Sequence, residues 1–230
     1  MKLDFCPSLR FYKRVMPRFQ IKRDTIAGYA ALAPVIPVVT VDDPERAVAL
    51  ARTLVEAGLP VVEVTLRTGS ALRCIEAIAR DVPEAVLAAG TVIRPKQIEE
   101  ATEAGAKFLV TPGTSPKMAE ALAESALPAM PACATVSEAL HLFELGFNLL
   151  KFFPAGASGG TAWLKSVAAP IPDVRFCPTG GLDAKSAPDY LACPNVACVG
   201  GSWMIPKDAL ASGDWARIGA LSREAAALRA

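Results

Sequence analysis

The chain has 230 residues, of which 52% are hydrophobic and 20% are charged, a composition typical of one globular domain or at most two. Its formal net charge of +1 excludes a general electrostatic attraction to nucleic acid or to an anionic membrane, but not a local anion site. No apolar run approaches the roughly 18 residues of a membrane span, so we expect neither a membrane nor a nucleic-acid partner.

The first 24 residues differ in character from the rest of the chain. They are rich in lysine and arginine and show no clear hydrophobic period. We expect a basic N-terminal extension over residues 1–24, with a short helix packed outside the domain, and a folded domain over residues 25–230. A targeting segment or a nucleic-acid-binding arm is the alternative interpretation of the extension.

From Pro34 onward, short apolar runs alternate with longer amphipathic runs. The short runs are typical of buried parallel strands and the longer runs of helices. Eight such strand–helix units, connected with the usual right hand, predict an α/β fold of the (β/α)8 TIM-barrel type. A doubly wound sheet is the competing fold, but no GxGxxG motif follows the first strand. The eight strand-like runs are PVIPVVTV, PVVEVTL, AVLAAGTV, KFLVTPG, LPAMPA, NLLKFFPA, VRFCPTGG and VACVGGS.

Repeated residues mark the ends of several predicted helices. Three helical runs end in glycine, which is typical of a left-handed residue after the helix C-terminus. Polar residues with short side chains lie at the start of three helical runs, two of which also end in one of these glycines, and they are expected to cap the helix N-terminus. The C-terminal residues are Gly58, Gly105 and Gly146, and the predicted N-caps are Asp42, Ser115 and Thr135.

The repeated glycines also align the polar residues of two strands. Glu63 lies five residues after Gly58, and Lys151 lies five residues after Gly146. Strand alternation then places Arg67 on the same side as Glu63. If these side chains face the barrel interior, they form a polar cluster in a cavity of low dielectric constant. The alternative is that they face outward.

Two pairs of glycines end the last two predicted strands, in PTGG (Pro178–Gly181) and VGGS (Val199–Ser202). Backbone amides exposed after the last two strands form the usual phosphate site of a (β/α)8 barrel. Such amides hold a phosphate dianion without many cationic side chains. The sequence therefore predicts a phosphate site here, with two ordinary tight turns as the alternative.

The polar cluster predicts a particular chemistry. Burial among apolar residues disfavours the charged form of Lys151, and a neutral amine attacks ketones to form a Schiff base. A carboxylate at the same level, Glu63, is suited to act as a general acid and base. With a carboxylate for Arg67 and a phosphate for the glycine pairs, the expected substrate is a small phosphorylated keto acid.

From about Pro34 to its C-terminus, the chain resembles the class I 2-keto-3-deoxy-6-phosphogluconate (KDPG) aldolases. The motifs that carry the resemblance are PVIPVV, VEVTLRTGSAL, AAGTV, AGAKFLVTPG, ATVSE, LKFFPA, VRFCPTGG and VGGSWM. The resemblance implies cleavage of 2-dehydro-3-deoxy-6-phospho-D-gluconate to pyruvate and D-glyceraldehyde 3-phosphate, as in the Entner–Doudoroff pathway. It also implies a homotrimer that needs no metal and no cofactor.

The resemblance assigns roles to ten residues. It implies that Lys151 forms the Schiff base, that Glu63 is the general acid/base and that Arg67 binds the pyruvyl carboxylate. The implied lining of the pyruvyl pocket is Thr91, Phe153 and Thr179, and the implied phosphate site is Gly180, Gly181, Gly201 and Ser202. Two departures from the family pattern, Ala132 and Gly156, leave these residues intact but put substrate preference and turnover in question.

Several other functions remain as alternatives. An aldolase for 4-hydroxy-2-oxoglutarate (KHG), or for the galactonate epimer, would share the imine chemistry. A phosphate-binding barrel isomerase would use paired carboxylates or a Cys/Asp pair and no imine, and a silent binding barrel would use neither.

Cysteine and histidine usage completes the expectations. The six cysteines form no CxxC pair, which is typical of free thiols in a reducing compartment, so we expect a cytoplasmic protein. The single histidine, His141, lies in a helical pattern, and we interpret it as structural; one histidine excludes His-dependent triads and multi-histidine metal sites.

Overall fold

The computed structural model describes residues 7–228, and the side chains from residue 19 onward. Nine strands and ten helices lie in this range, and they largely alternate along the chain. The strands are β1 (Val35–Val39), β2 (Val61–Thr65), β3 (Val86–Gly90), β4 (Phe108–Val110), β5 (Ala129–Met130), β6 (Ala132–Cys133), β7 (Leu149–Phe152), β8 (Arg175–Pro178) and β9 (Val199–Gly201). The helices are α1 (Pro7–Ala31), α2 (Pro44–Glu56), α3 (Ala71–Asp81), α4 (Lys96–Glu103), α5 (Pro116–Glu124), α6 (Val136–Glu144), α7 (Gly160–Val167), α8 (Ala187–Leu191), α9 (Lys207–Ser212) and α10 (Trp215–Ala226).

The strands pair in parallel, and this confirms the predicted α/β fold with a curled parallel sheet. Regular pairing forms two ladders, of order β5-β4-β3-β2-β1-β9 and β6-β7-β8, and so departs from a single ring of eight strands. One interruption is at Pro131 between β5 and β6, because proline has no N–H for a ladder hydrogen bond. The other lies between β8 and β9, which share only the isolated bridges Phe176–Val196 and Thr179–Gly200.

Most of the predicted helix ends are confirmed. Gly58, Gly105 and Gly146 each follow a helix with a φ of 90°, 96° and 100°, which side chains other than that of glycine rarely adopt. The N-caps at Ser115 and Thr135 are confirmed by their side chains, and Thr135 forms a reciprocal capping box with Glu138. The prediction of Asp42 as an N-cap is wrong by one residue. Asp43 accepts hydrogen bonds from the amides of Glu45 and Arg46, because Pro44 begins the helix.

Apolar side chains lie on both sides of the sheet. A larger cluster fills the space between the sheet and the outer helices, and a smaller one fills the interior of the curled sheet. The interior cluster consists of Ile26, Ala30, Ile36, Val61, Ala88, Phe108, Val110, Met130, Leu149, Cys177 and Cys198. The first two of these residues belong to α1, which therefore packs against the interior.

Helix α1 runs without a break through residue 24, where we expected the extension to end. Its C-terminal half is tied to the rest of the chain, because Lys22 donates to the carbonyl of Ala123 and Arg23 to that of Gly146, at 3.0 and 2.7 Å. Residues 1–6 of the predicted extension lie outside the described residues, and the domain boundary at residue 24 stays a prediction.

Within residues 7–228, no helix is both long and apolar enough to cross a bilayer. Five cysteines are buried free thiols in this range, and the sixth, Cys6, lies outside it. Burial raises the pKa of the Cys133 thiol to about 12, so this side chain next to β7 stays protonated at neutral pH.

Candidate active site

A buried ion pair lies inside the curled sheet. Lys151 Nζ is 3.0 Å from Glu63 Oε1 and 3.3 Å from Oε2, across 88 residues of sequence. The two side chains are only 4% and 2% exposed, so both charges are removed from water. The structure thus joins the two residues that the glycine spacing places at matching levels of two strands.

Strand geometry explains why these two side chains meet. Glu63 is paired with Val38 on one side and Ala88 on the other, in the middle of β2. Lys151 is paired with Ala132 and Cys177 in the middle of β7. The strands β2 and β7 are not neighbours in either ladder, so the contact between their side chains crosses the interior.

The ion pair changes the expected electrostatics of Lys151. The sequence places apolar residues on both sides of Lys151 in the chain, and the structure adds a carboxylate 3.0 Å from its amine. This contact matches the polar cluster that the sequence predicts for the case in which Glu63 and Lys151 both face the interior. Glu63 is also the nearest group that can accept the lysine proton and so expose the nucleophile.

Gly90, the last residue of β3, makes room for this pair. A β-carbon at position 90 would lie 2.6 Å from Glu63 Cγ and closer still to Oε1. Real side chains essentially never approach that closely, so an alanine here must displace the carboxylate. Gly90 is not among the predicted site residues, although the AAG of AAGTV ends the strand that pairs with the glutamate-bearing strand.

Gly90→Ala is therefore expected to lower kcat by about 10- to 100-fold, because displacing a catalytic group by about 1 Å can cost that much. The matched control is Gly28→Ala in α1, where no atom lies within 4 Å of the added methyl group. Steady-state kinetics with circular dichroism would check both variants. A folded Gly90→Ala protein with parental kcat would show that the glutamate does not need this space.

Arg67 and Thr91 form a second polar group at the carboxyl ends of β2 and β3. Arg67 Nε donates to Thr91 Oγ1 at 3.1 Å, and the guanidinium is otherwise exposed. Thr91 has a φ of +60°, a left-handed conformation that is uncommon for a threonine. Backbone strain of this kind is frequent at ligand sites, and here it brings the hydroxyl to the arginine.

The ring of Phe153 adjoins the ion pair. Its centroid is 5.5 Å from Lys151 Nζ, and Gly180 packs so closely that a β-carbon there would lie 3.1 Å from the ring. Thr179, at the end of β8, is buried and fills the space beside Gly200 on β9. The structure thus brings Phe153 and Thr179 to the same mouth as Lys151.

The predicted phosphate loops follow β8 and β9. Gly180 and Gly181 have φ values of 96° and 80°, a left-handed conformation that favours glycine. Gly201 ends β9, and its missing side chain leaves room for the ring of Trp203. Ser202 follows at once with an exposed side chain. These residues form an open, amide-rich rim suited to an anion.

Both departures from the family pattern lie beside the site. Ala132 is paired with Lys151, and its amide donates to Thr111 Oγ1 at 2.9 Å. The Gly156 amide donates to the carbonyl of Gly180 at 3.0 Å, which holds the predicted phosphate loop in place.

Two more residues bear on the predicted site, His141 and Thr40. His141 is half-buried on α6, away from the ion pair, in keeping with a structural residue. Thr40 is not among the predicted site residues, although its hydroxyl contacts that of Thr65 at 2.8 Å. Strand alternation could have indicated this residue, because Thr40 lies two residues after Val38 and shares the inward face of β1.

Comparison with protein families gives a match along most of the chain. The model of a family described as "Aldolase: KDPG and KHG aldolase" matches residues 26–221. A KHG/KDPG aldolase of Escherichia coli K12 is 48% identical over 192 residues, covering 84% of this chain and 90% of that protein. A 2-dehydro-3-deoxy-phosphogluconate aldolase of Pseudomonas aeruginosa is 42% identical over 193 residues, covering 84% and 88%.

Solved structures show the same similarity. A KDPG aldolase from Legionella pneumophila, with pyruvate captured as a covalent carbinolamine, has a TM-score of 0.85 and 40% identity, covering 87% of this chain and 98% of that one. The Zymomonas mobilis enzyme with 3-phosphoglycerate has a TM-score of 0.84 and 42% identity, covering 90% and 97%.

Proposed function

The chain belongs to the KDPG and KHG aldolase family, and we propose that it is a class I aldolase of central carbohydrate metabolism. It cleaves 2-dehydro-3-deoxy-6-phospho-D-gluconate to pyruvate and D-glyceraldehyde 3-phosphate, in the manner of the Entner–Doudoroff pathway. The observation that carries the proposal is the buried contact between Lys151 and Glu63, because it joins an amine nucleophile to a proton acceptor. The relatives' names supply the substrate.

The first step forms the imine. Lys151 gives its proton to Glu63, and the neutral amine attacks carbon 2 of the keto acid to form a carbinolamine. Loss of water then gives an iminium ion between Nζ and carbon 2. Phe153, whose ring centroid is 5.5 Å from Nζ, packs against the pyruvyl group.

The second step breaks the bond between carbons 3 and 4. Glu63, once again a carboxylate, removes the hydroxyl proton at carbon 4, and the bonding electron pair moves to the iminium to give an enamine. The aldehyde departs, Glu63 returns its proton to carbon 3, and water hydrolyses the new iminium to pyruvate and free Lys151. Atoms and charge balance without a metal or an organic cofactor.

The substrate has an anionic group at each end, a carboxylate and a phosphate, and the site has one group of hydrogen-bond donors for each. Arg67 and Thr91 hold the carboxylate of the pyruvyl half, because a guanidinium and a hydroxyl both donate to carboxylate oxygens. Thr179 lines the same pocket. The amides of Gly180, Gly181 and Gly201, with the Ser202 hydroxyl, hold the phosphate.

Cleavage of KHG is the second candidate, because a relative at 48% identity bears the double name KHG/KDPG aldolase. That cleavage uses the same imine, but KHG has no phosphate and ends in a carboxylate at carbon 5. A barrel isomerase fits the site less well, since Glu63 is paired with an amine rather than with a second carboxylate, and Cys133 is held as a thiol.

A comparison of phosphorylated and unphosphorylated substrates tests this assignment. Ser202→Ala removes one donor to a charged acceptor, an interaction worth about 1.5–3 kcal/mol, so we expect a loss of roughly 10- to 100-fold in kcat/KM for KDPG. The same variant is expected to cleave the unphosphorylated analogue as the parent does. A coupled assay of pyruvate release measures both. Equal slowing of both substrates would mean that Ser202 supports the rim and does not bind phosphate.

Three further properties belong to the proposal. We infer that the two ladders close into one (β/α)8 barrel, supported by the two bridges between β8 and β9 and by the single residue between β5 and β6. The family resemblance supports a homotrimer, which light scattering would test. The five buried free thiols support a cytoplasmic location.

A further inference from the structure

Two threonine hydroxyls at the mouth of the site are hydrogen-bonded to each other, and the mechanism above uses neither of them. Thr65 is fully buried, and its hydroxyl donates to the carbonyl of Val39 at 2.9 Å. Thr40 is exposed, and its Oγ1 lies 2.8 Å from Thr65 Oγ1. The outer member of the pair is therefore the one that a ligand can reach.

Because each hydroxyl has only one hydrogen, the existing hydrogen bonds determine which ligand groups Thr40 can bind. A hydroxyl has one hydrogen, and that of Thr65 goes to Val39. Thr40 must then donate its own hydrogen to Thr65, which leaves the Thr40 oxygen with lone pairs facing the mouth. An oxygen in this state accepts a hydrogen bond from a substrate hydroxyl. It has nothing to donate to a carboxylate or a phosphate.

The strand order places Thr40 between the two halves of the site. Strand β1 lies between β9 and β2 in the larger ladder. On one side Val38 is paired with Glu63, and Thr40 lies two residues further toward the mouth on the same face. On the other side Pro37 is paired with Gly201, which Ser202 follows. A substrate that runs from the ion pair to the phosphate rim passes Thr40.

We propose that Thr40 accepts a hydrogen bond from the hydroxyl on carbon 5 of the substrate; this rests on the proposed function. Carbon 2 is held at Lys151 and the carbon 4 hydroxyl belongs to Glu63, so the hydroxyl next in line toward Ser202 is that on carbon 5. Thr40 then favours substrates with a hydroxyl at this carbon. It disfavours KHG, which has a carboxylate there.

The test runs the reaction in the direction of synthesis, with pyruvate and two aldehydes. D-Glyceraldehyde 3-phosphate supplies the hydroxyl in question, whereas 3-oxopropyl phosphate keeps the phosphate and lacks that hydroxyl. Thr40→Val is expected to lower kcat/KM for the first aldehyde by about 3- to 10-fold, the usual effect of one neutral hydrogen bond, and to leave the second unchanged. Thr40→Ser keeps the hydroxyl and is expected to restore most of the loss.

Two controls separate this inference from the function on which it rests. Thr102→Val removes a hydroxyl that bonds within α4, at 2.7 Å from the carbonyl of Ile98, and is expected to match the parent with both aldehydes. Exchange of the pyruvate methyl protons in heavy water reports imine formation without any aldehyde. If the parent shows no exchange, the aldolase function itself is wrong. If exchange is normal but Thr40→Val slows both aldehydes equally, or neither, the assignment of Thr40 is overturned.

Discussion

Lys151→Arg is expected to abolish aldol cleavage, lowering kcat by at least about 10⁴-fold, because a guanidinium does not form the imine on which every later step depends. Arginine is chosen because it keeps a cation beside Glu63. Removal of one partner of a buried ion pair costs about 3–5 kcal/mol of stability, which would confuse loss of function with loss of fold. The coupled assay of pyruvate release measures the effect, and thermal unfolding reports the stability of the variant.

The matched control is Lys165→Arg on α7, where the lysine is exposed and away from the ion pair. It is expected to keep parental kinetics. Substantial cleavage by a folded Lys151→Arg protein would contradict the imine mechanism and favour chemistry that needs only a positive charge at this position.

Glu63→Gln is expected to lower kcat by roughly 10²–10⁴, the usual contribution of a well-placed general acid/base, while imine formation with pyruvate persists. The amide is nearly the shape of the carboxylate, but it accepts no proton from the carbon 4 hydroxyl. The Lys151 amine itself is unchanged in this variant, so the nucleophile that attacks the ketone is still present.

The two half-reactions of the Glu63→Gln variant are measured separately. Borohydride reduction in the presence of pyruvate reports the imine, and single-turnover kinetics reports cleavage. Near-parental cleavage would remove Glu63 from the mechanism. Loss of both half-reactions together would indicate that its main task is to position Lys151.

The sequence predicted those features that depend on residues only a few positions apart in the chain. Alternation along a strand and the glycine after each helix place Glu63 and Lys151 at matching levels, and the structure joins them at 3.0 Å. Helix capping was predicted correctly at Ser115 and Thr135 because the side chain and its target amides are three residues apart. Both features are set by the local backbone conformation, so they can be predicted without knowing the rest of the fold.

Contacts between remote residues could not be predicted in this way. Alternation and the glycine spacing predict that Lys151 and Glu63 lie at matching levels, but not that their side chains meet at 3.0 Å across 88 residues of sequence. The need for Gly90 arises only from the path of the Glu63 side chain. Pro131 interrupts the ladder of a strand whose apolar pattern is continuous.

Covalent trapping is the most direct test of the central claim that Lys151 forms an imine with the keto acid. The parent protein is incubated with pyruvate and sodium borohydride, digested, and mapped by mass spectrometry, with Lys151→Arg treated alongside. The account predicts loss of activity, one reduced pyruvyl adduct per chain on the peptide that contains Lys151, and no adduct in the variant. An adduct on Lys165 or Lys185, or full activity without any adduct, would contradict it.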